Sequence, residues 1–418
     1  MKKRQQFFLL FLMNTLFFTW GFVTVLNDIL VPYFKSLFTL SYVAVMLVQF
    51  CFFTAYGLIS IPSGKIVERL GYRKGIVLAL FVAAFGAFLF LPAADLPSFP
   101  LFLLAIFIVA SGIVLLQVAA NPYVALLGDP EYSSSRLNLA QGFNSLGTTL
   151  GPLIGSQLIL QSSSIYSDMF GINVIYGCVV VGLVLLAALL LFLRFPEVQK
   201  VEYEEFQEHL SRRAVRLKDT PVPEEIPEHK ESMWQYPHLV YGTLAIFCYV
   251  GAEVSIGSFL VNFLTDPRLL GVGDFYAGHL VSLYWAGAML GRFLGFVLLL
   301  RIAPRKLLAI CVTCALLLLV TSMLTSGAIA AYSILSIGLF NSIMFPTIFT
   351  LGIRGLEGFT AKGSGLLCTA IIGGAIVPLI QGAFADHIGI QNAFFVPMFC
   401  YIYVLYYARI GAVARCKV

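Results

Sequence analysis

Gln117-Val-Ala-Ala-Asn121-Pro122-Tyr-Val-Ala-Leu-Leu-Gly128 lies inside a long apolar run. Asn341-Ser-Ile-Met-Phe-Pro346-Thr-Ile-Phe-Thr-Leu-Gly352 repeats it in the second half of the chain. With the prolines superposed, an amide side chain meets an amide and a glycine meets a glycine. The stretch from Gly147 to Pro152-Leu-Ile is echoed in the same order by Gly373 to Pro378-Leu-Ile. Two matches in one order, at nearly one offset, point to a duplicated unit. Paired apolar helices interrupted by Pro or Gly at corresponding positions mark transporters whose site lies at the repeat interface.

Working outward, the chain is 59% hydrophobic and 11% charged over 418 residues. Soluble domains carry roughly a quarter charged residues, so this chain uses lipid as solvent. A spanning helix needs about 20 predominantly apolar residues. That template predicts spans over 6–34, 41–63, 75–94, 100–127, 137–160, 171–193, 238–264, 276–299, 306–325, 329–352, 363–384 and 391–409. The expected fold is an all-α integral membrane protein, twelve transmembrane helices in two pseudo-symmetric six-helix bundles. Residues 1–194 and 238–418 form the bundles. Residues 195–237, rich in Glu, Lys, Arg and Pro, form a cytoplasmic linker with a surface helix near 203–216.

Charge sets the orientation. With the N-terminus in the cytoplasm, only Lys35 and Arg268 of the 26 Lys and Arg fall outside, a strong positive-inside bias. Both termini are therefore expected in the cytoplasm. The net charge of +5 reports topology and implies no nucleic-acid partner. Lys2-Lys3-Arg4 before an apolar run imitates a signal peptide, but the run is too long and lacks an Ala-x-Ala site. Cys311-x-x-Cys314 has no second pair and no nearby His, and reads as packing. His238 and His279 lack ligand-spaced partners and read as interfacial or structural. No metal site, cofactor or catalytic residue is expected, and no phosphate-cradling loop suggests drive by ATP.

The first span holds an acid, Asp28. A carboxylate deep in hydrocarbon costs several kcal/mol, so intramembrane acids usually mark an ion path or substrate site. Trp20, Thr24, Asn27 and Asp28 fall on one helical face, a polar stripe that suits a water-lined cavity. Gln117 with Asn121, and Gln141 with Asn144, also share faces through i, i+4 and i, i+3 spacing. Pro122 removes one helical hydrogen bond and frees the Val118 carbonyl. Such amides and carboxylates, joined by Asn341 and backed by Trp20 or Trp285, suit a polyhydroxylated ligand.

Five stretches of sequence carry a resemblance. Gly64-Lys65-Ile-Val-Glu68-Arg69-Leu-Gly71-Tyr-Arg73-Lys74 resembles the loop signature of the major facilitator superfamily, with Glu68 in the acidic position. The resemblance implies that this loop, with Gly64, Glu68, Arg69, Gly71 and Arg73, pairs charges across cytoplasmic helix ends and tunes conformational exchange. Arg292, Arg301, Arg305 and Lys306 read as a looser counterpart between spans eight and nine. Leu26-Asn27-Asp28-Ile-Leu-Val-Pro-Tyr-Phe, Gln117-Val-Ala-Ala-Asn-Pro-Tyr, Leu137-Asn-Leu-Ala-Gln141-Gly-Phe-Asn144-Ser and Phe247-Cys-Tyr-Val-Gly-Ala-Glu253 resemble the fucose–galactose–hexose symporter family. The fucose permease pattern implies an acid where this chain has Gln117 and an amide where it has Glu253. That exchange looks like the glucose/galactose branch.

The resemblance implies a monomeric symporter of a neutral hexose, glucose or galactose first and L-fucose second. Its coupling ion is a proton or sodium, the latter held near Asp28. Asp28 and Glu253 are the candidate coupling acids. Trp20, Asn27, Gln117, Asn121, Gln141, Asn144 and Asn341 are the candidate sugar contacts. A drug/proton antiporter would share the fold, but the dense amides favour a sugar over a greasy cation. The orientation is checked with reporters: one fused after Arg216 is expected in the cytoplasm and one near Asp168 outside, and an external Arg216 reporter overturns the topology.

Overall fold

In the computed structural model the described residues are 3–38, 42–96, 98–159, 165–193 and 232–412. The readings of most of the inter-bundle linker and of its surface helix lie outside them. Twelve membrane-length segments follow one another. They are α1 (Lys3–Leu37), α2 (Tyr42–Leu70), α3 (Tyr72–Asp95), α4 (Phe99–Leu126), α5 (Ser133–Ile159), α6 (Ile165–Phe192), α7 (Pro237–Thr265), α8 (Asp274–Leu298) and α9 (Pro304–Leu324). Two broken spans come next, α10a (Gly327–Asn341) with α10b (Met344–Gly352), and α11a (Thr360–Thr369) with α11b (Gly373–Ile388). A single turn then leads into α12 (Phe395–Tyr406).

Proline starts α4, α7 and α9 within their first turn, where its missing N–H would have had no helical partner. Eleven segments are long and apolar enough to cross a bilayer, α5 being absent from that set of described residues. At 27 residues and about 1.5 Å per residue, α5 still exceeds the roughly 30 Å hydrocarbon core. It is polar because it is sandwiched between α1 and α8 and so faces the rest of the protein.

The duplication read from the sequence recurs in the packing. In the first half α1 packs on α5, α2 on α4, and α3 on both α4 and α6. In the second, α7 packs on α11b, α8 on α10a, and α9 on both α10a and α12. The echoing glycines nonetheless do different jobs. Gly128 takes φ 109° after α4 ends, whereas Gly352 is helical and packs on Leu367.

Arginines close the helix ends on one side of the bundle, here termed the basic end. Arg73, in the first turn of α3, donates to the Leu190 carbonyl at 3.1 Å and to that of Leu191, at the end of α6. Arg305 holds the matching place on α9 and donates to the Ala408 and Arg409 carbonyls after α12, at 3.3 and 2.6 Å. Arg136 on α5 donates to the Val124, Ala125 and Asp129 carbonyls at the end of α4. The last carbonyls of a helix lack intrahelical donors, and a cation there also meets the negative end of the helix dipole. Arg305 is thus the true counterpart of Arg73. At the opposite end Arg268 pairs with Asp266 at 2.8 Å and, chiefly through that hydrogen bond, holds the Asp266 carboxyl below its usual range.

Two sequence readings are corrected. The stretch Gly64–Lys74 is no loop: α2 runs on through Leu70 and α3 starts at Tyr72. Gly71 alone makes the turn, at φ 79°, a conformation glycine adopts without steric cost. Arg292 lies within α8, not in the connection to α9.

Gly147 and Gly151 seat a close helix crossing, and the partner is α1. A Cβ on Gly147 would collide with the Phe18 carbonyl, and one on Gly151 with Val25. Gly147→Ala is expected to destabilise the fold by roughly 1–3 kcal/mol through overpacking, lowering the unfolding temperature in detergent. Gly182→Ala, which has no neighbour within 4 Å, is expected to leave it unchanged.

Candidate substrate site and the seam between the halves

The two halves meet along a seam that is tight at the basic end. Gly64 on α2 and Gly365 on α11a let their backbones touch: a Cβ on Gly365 would lie 2.7 Å from the Ser60 carbonyl and 3.2 Å from Gly64 Cα. Beside them Lys362 pairs with Glu68 at 2.9 Å. Both are about one-third exposed, and such a pair contributes only about 0–1 kcal/mol. Along α5, Ser134 bonds Thr350 of α10b at 2.6 Å and Ser135 donates to the Phe296 carbonyl at 2.7 Å. Deeper in, Phe143 meets Phe293 edge-on at 6.1 Å.

The carbonyl freed by Pro122 acquires a partner here. Ser364 Oγ donates to the Val118 carbonyl at 2.8 Å, from α11a to α4 across the seam. A helix defect in one half therefore supplies a hydrogen bond to the other, one that exists only while this end is shut.

On either side of Val118 along α4 lie two of the candidate sugar residues. Gln117 is buried and donates through Nε2 to the Tyr56 hydroxyl at 2.6 Å, leaving Oε1 with no protein partner. Asn121, one turn on, is fully buried and neither side-chain atom has a partner. Gln141 Nε2 on α5 is likewise unpartnered. Buried polar groups are nearly always hydrogen-bonded, so these three amides on α4 and α5 are candidates to meet a polar ligand or water.

The other candidates are placed differently. Asn144 Nδ2 donates to the Phe17 carbonyl at 3.1 Å and ties α5 to α1. Asn341 is fully buried beneath three tyrosines. Its Nδ2 donates to Tyr284 Oη at 2.8 Å, its Oδ1 accepts from Tyr401 at 2.7 Å, and its carbonyl accepts from Tyr249 at 3.0 Å. Both side-chain atoms of Asn341 are thus engaged within its own half. Trp20 is buried against Phe17 at 5.1 Å, and Thr24 donates to the Trp20 carbonyl at 2.9 Å, so part of the polar stripe on α1 is satisfied by its own helix. The side chains of Asn27 and Asp28 lie outside the described residues. Trp285 is about half exposed and meets Tyr284 edge-on at 5.1 Å. His238 binds the Arg354 carbonyl at 2.8 Å, a structural role.

Glu253 lies on α7 with Oε1 buried and unpartnered. Its charged and polar neighbours are Arg292 and Tyr249. Three residues that the sequence reading did not select therefore belong to this region: Tyr56, Ser364 and Arg292. For Arg292 the signal was present, a cation within an apolar span. Tyr56 and Ser364 carry no sequence signal, because ordinary core residues look the same.

The Major Facilitator Superfamily profile matches residues 8–371. The chain belongs to the major facilitator superfamily. Within the superfamily it is 48% identical over 404 residues to the glucose/galactose transporter of Brucella abortus biovar 1 (strain 9-941), covering 96% of this chain and 93% of the relative. It is 34% identical over 423 residues to the L-fucose-proton symporter of Escherichia coli (strain K12), covering 95% and 92%. Among solved structures it is similar to a major facilitator transporter, FucP, in the outward conformation, with a TM-score of 0.81, 33% identity, and coverage of 96% and 97%.

The seam geometry makes a conformational prediction. Gly365→Val is expected to prop the basic end open, because the α2 backbone cannot yield the space. Ser364→Ala removes one hydrogen bond of about 0.5–1.5 kcal/mol and is expected to shift the population the same way by about two- to tenfold. Spin-label distances between α2 and α11a at that end measure both, and an unchanged distance distribution in Gly365→Val refutes the gate.

Proposed function

We propose that this protein is a symporter that carries a neutral hexose with a proton, by alternating access, in a bacterial inner membrane. Glucose and galactose are the first candidates and L-fucose the second. The observation that carries the reading is the set of buried, unpartnered amide atoms of Gln117, Asn121 and Gln141 at the seam. Amides offer both donors and acceptors without net charge, which matches a ring of hydroxyls. A cationic drug would need an acid or an aromatic face among them. The relatives named above add support: one is described as a glucose/galactose transporter and another as an L-fucose-proton symporter.

The basic end is proposed to be cytoplasmic, which makes this conformation outward-facing. The excess of Lys and Arg there supports it, as does the likeness to a structure solved in the outward conformation. Residues 1–194 and 238–418 are the two moving bodies, joined by 195–237. Gln117 reads the sugar, held by Tyr56, and cannot exchange a proton. Asp28 is the coupling acid, since an acid within a span is functional by default, and a proton is favoured over sodium by the described activity of the fucose relative.

Labelled galactose and glucose uptake into proteoliposomes, under proton and sodium gradients imposed separately, tests the reading. Accumulation under the proton gradient alone is expected. Asp28→Asn is expected to lose accumulation yet keep counterflow exchange, because the amide mimics a neutral carboxyl. Accumulation driven only by sodium overturns the ion, and absence of any hexose uptake overturns the substrate class.

A further inference from the structure

Arg292 has no task in the mechanism above, and its setting is unusual. It projects from α8 within the membrane span, where an arginine is expensive and is retained only with partners. Its Nη1 donates to Ser145 Oγ and, at 3.5 Å, to the Gln141 carbonyl, both on α5 of the opposite half. Its Nε is buried without a partner. The α5 groups are neutral acceptors: they satisfy hydrogen bonds and leave the charge uncompensated.

Among the described residues, the acid that acts on this charge is Glu253. Three elements pack along α8: α5, α7 and α10a. Residues 133–159 of α5 and 327–341 of α10a contain no Asp or Glu. The only acid in 237–265 of α7 is Glu253, and the only acid of α8 itself is Asp274, at its first residue. Glu253 acts electrostatically on Arg292 and on the hydroxyls of Tyr249, Tyr284 and Tyr401. The acid and the arginine belong to the same half, and the hydrogen-bond acceptors belong to the other.

We propose that Arg292 is a positioning residue of the transport cycle, a cation held by α5 of one half while the seam is shut and carried by Glu253 of its own half when α5 withdraws. Separation of α5 from α8 removes Ser145 and the Gln141 carbonyl, so the guanidinium then depends on the Glu253 carboxylate. The charge on Glu253 thereby becomes linked to opening of the seam, and linkage is reciprocal: what alters one equilibrium alters the other. Gln141 joins this device to the sugar site, since its backbone holds Arg292 and its side-chain amide is unpartnered toward the ligand. Glu253 acquires a role distinct from that of Asp28, setting the conformational balance through Arg292.

The inference rests on the symporter reading, and its test separates the two. Arg292→Gln, Arg292→Lys, Glu253→Gln and the neutral pair Arg292→Gln/Glu253→Gln are compared in proteoliposomes for galactose counterflow, and in detergent for unfolding temperature, which needs no sugar. Removing one member of a buried pair leaves the other uncompensated, while removing both does not. Arg292→Gln is therefore expected to lose counterflow by more than about tenfold and to unfold at lower temperature. The neutral pair is expected to recover most of both, and Arg292→Lys to retain counterflow, because the charge matters more than the fork. A neutral pair no better than Arg292→Gln, or an Arg292→Gln protein that exchanges and unfolds like wild type, overturns the proposal. If Arg292→Gln does not fold, recovery of folding in the neutral pair supports the proposal and its failure refutes it. A wild type that exchanges no hexose defeats the substrate reading alone, and the unfolding temperatures still decide the role of Arg292.

Discussion

Lipid supplies no hydrogen bonds, and this structure is organised by that constraint. Every backbone group within hydrocarbon must be satisfied internally, so the spanning segments are helices. At the basic end, where helices finish and carbonyls lose their donors, Arg73, Arg136 and Arg305 reach across to close them. The same rule explains where polar side chains are tolerated. Along α5 they face α1 and α8, and the exposed faces elsewhere carry large apolar residues such as Phe81, Phe85, Leu185 and Leu294.

The contacts that shut the seam are individually small. Hydrogen bonds such as Ser364 to Val118 and Ser134 to Thr350 contribute about 0.5–1.5 kcal/mol each, and the partly exposed Lys362–Glu68 pair less. A handful of them sums to a few kcal/mol. A ligand shifts a two-state equilibrium by its differential affinity, about 5.5 kcal/mol for a swing from 1:99 to 99:1. A gate of this strength therefore stays within reach of a bound sugar and a bound ion. Packing inside each half is closer: Gly147 lies against the Phe18 backbone, and a tyrosine cage closes over Asn341.

Pro122 and Arg292 show how local expense becomes function. Pro122 removes a helical bond, and the carbonyl it exposes is satisfied from the opposite half. Arg292 brings a charge into a low-dielectric region, and its acceptors are likewise in the opposite half. In both cases a group that one half cannot satisfy is completed across the seam, so its needs report whether the halves are together.

The membrane class, the twelve spans, the duplication and the basic end were legible in the chain, because they follow from periodicity, hydropathy and charge count, which neighbours do not alter. The sequence also selected Gln117, Asn121 and Gln141, since amides inside apolar runs are few. What those amides meet is set by how the helices pack. The tertiary structure engaged Asn341 with three tyrosines, gave Asn144 to the Phe17 carbonyl, and left Gln117, Asn121 and Gln141 with free polar atoms. It turned the Gly64–Lys74 stretch from a loop into two helix ends joined at Gly71, and moved Arg292 from a connection onto α8 against α5. Hydrogen-bond partners more than a hundred residues apart, such as Val118 with Ser364 or Arg292 with Ser145, depend on how two separate bundles dock. No local pattern in a chain encodes that distance.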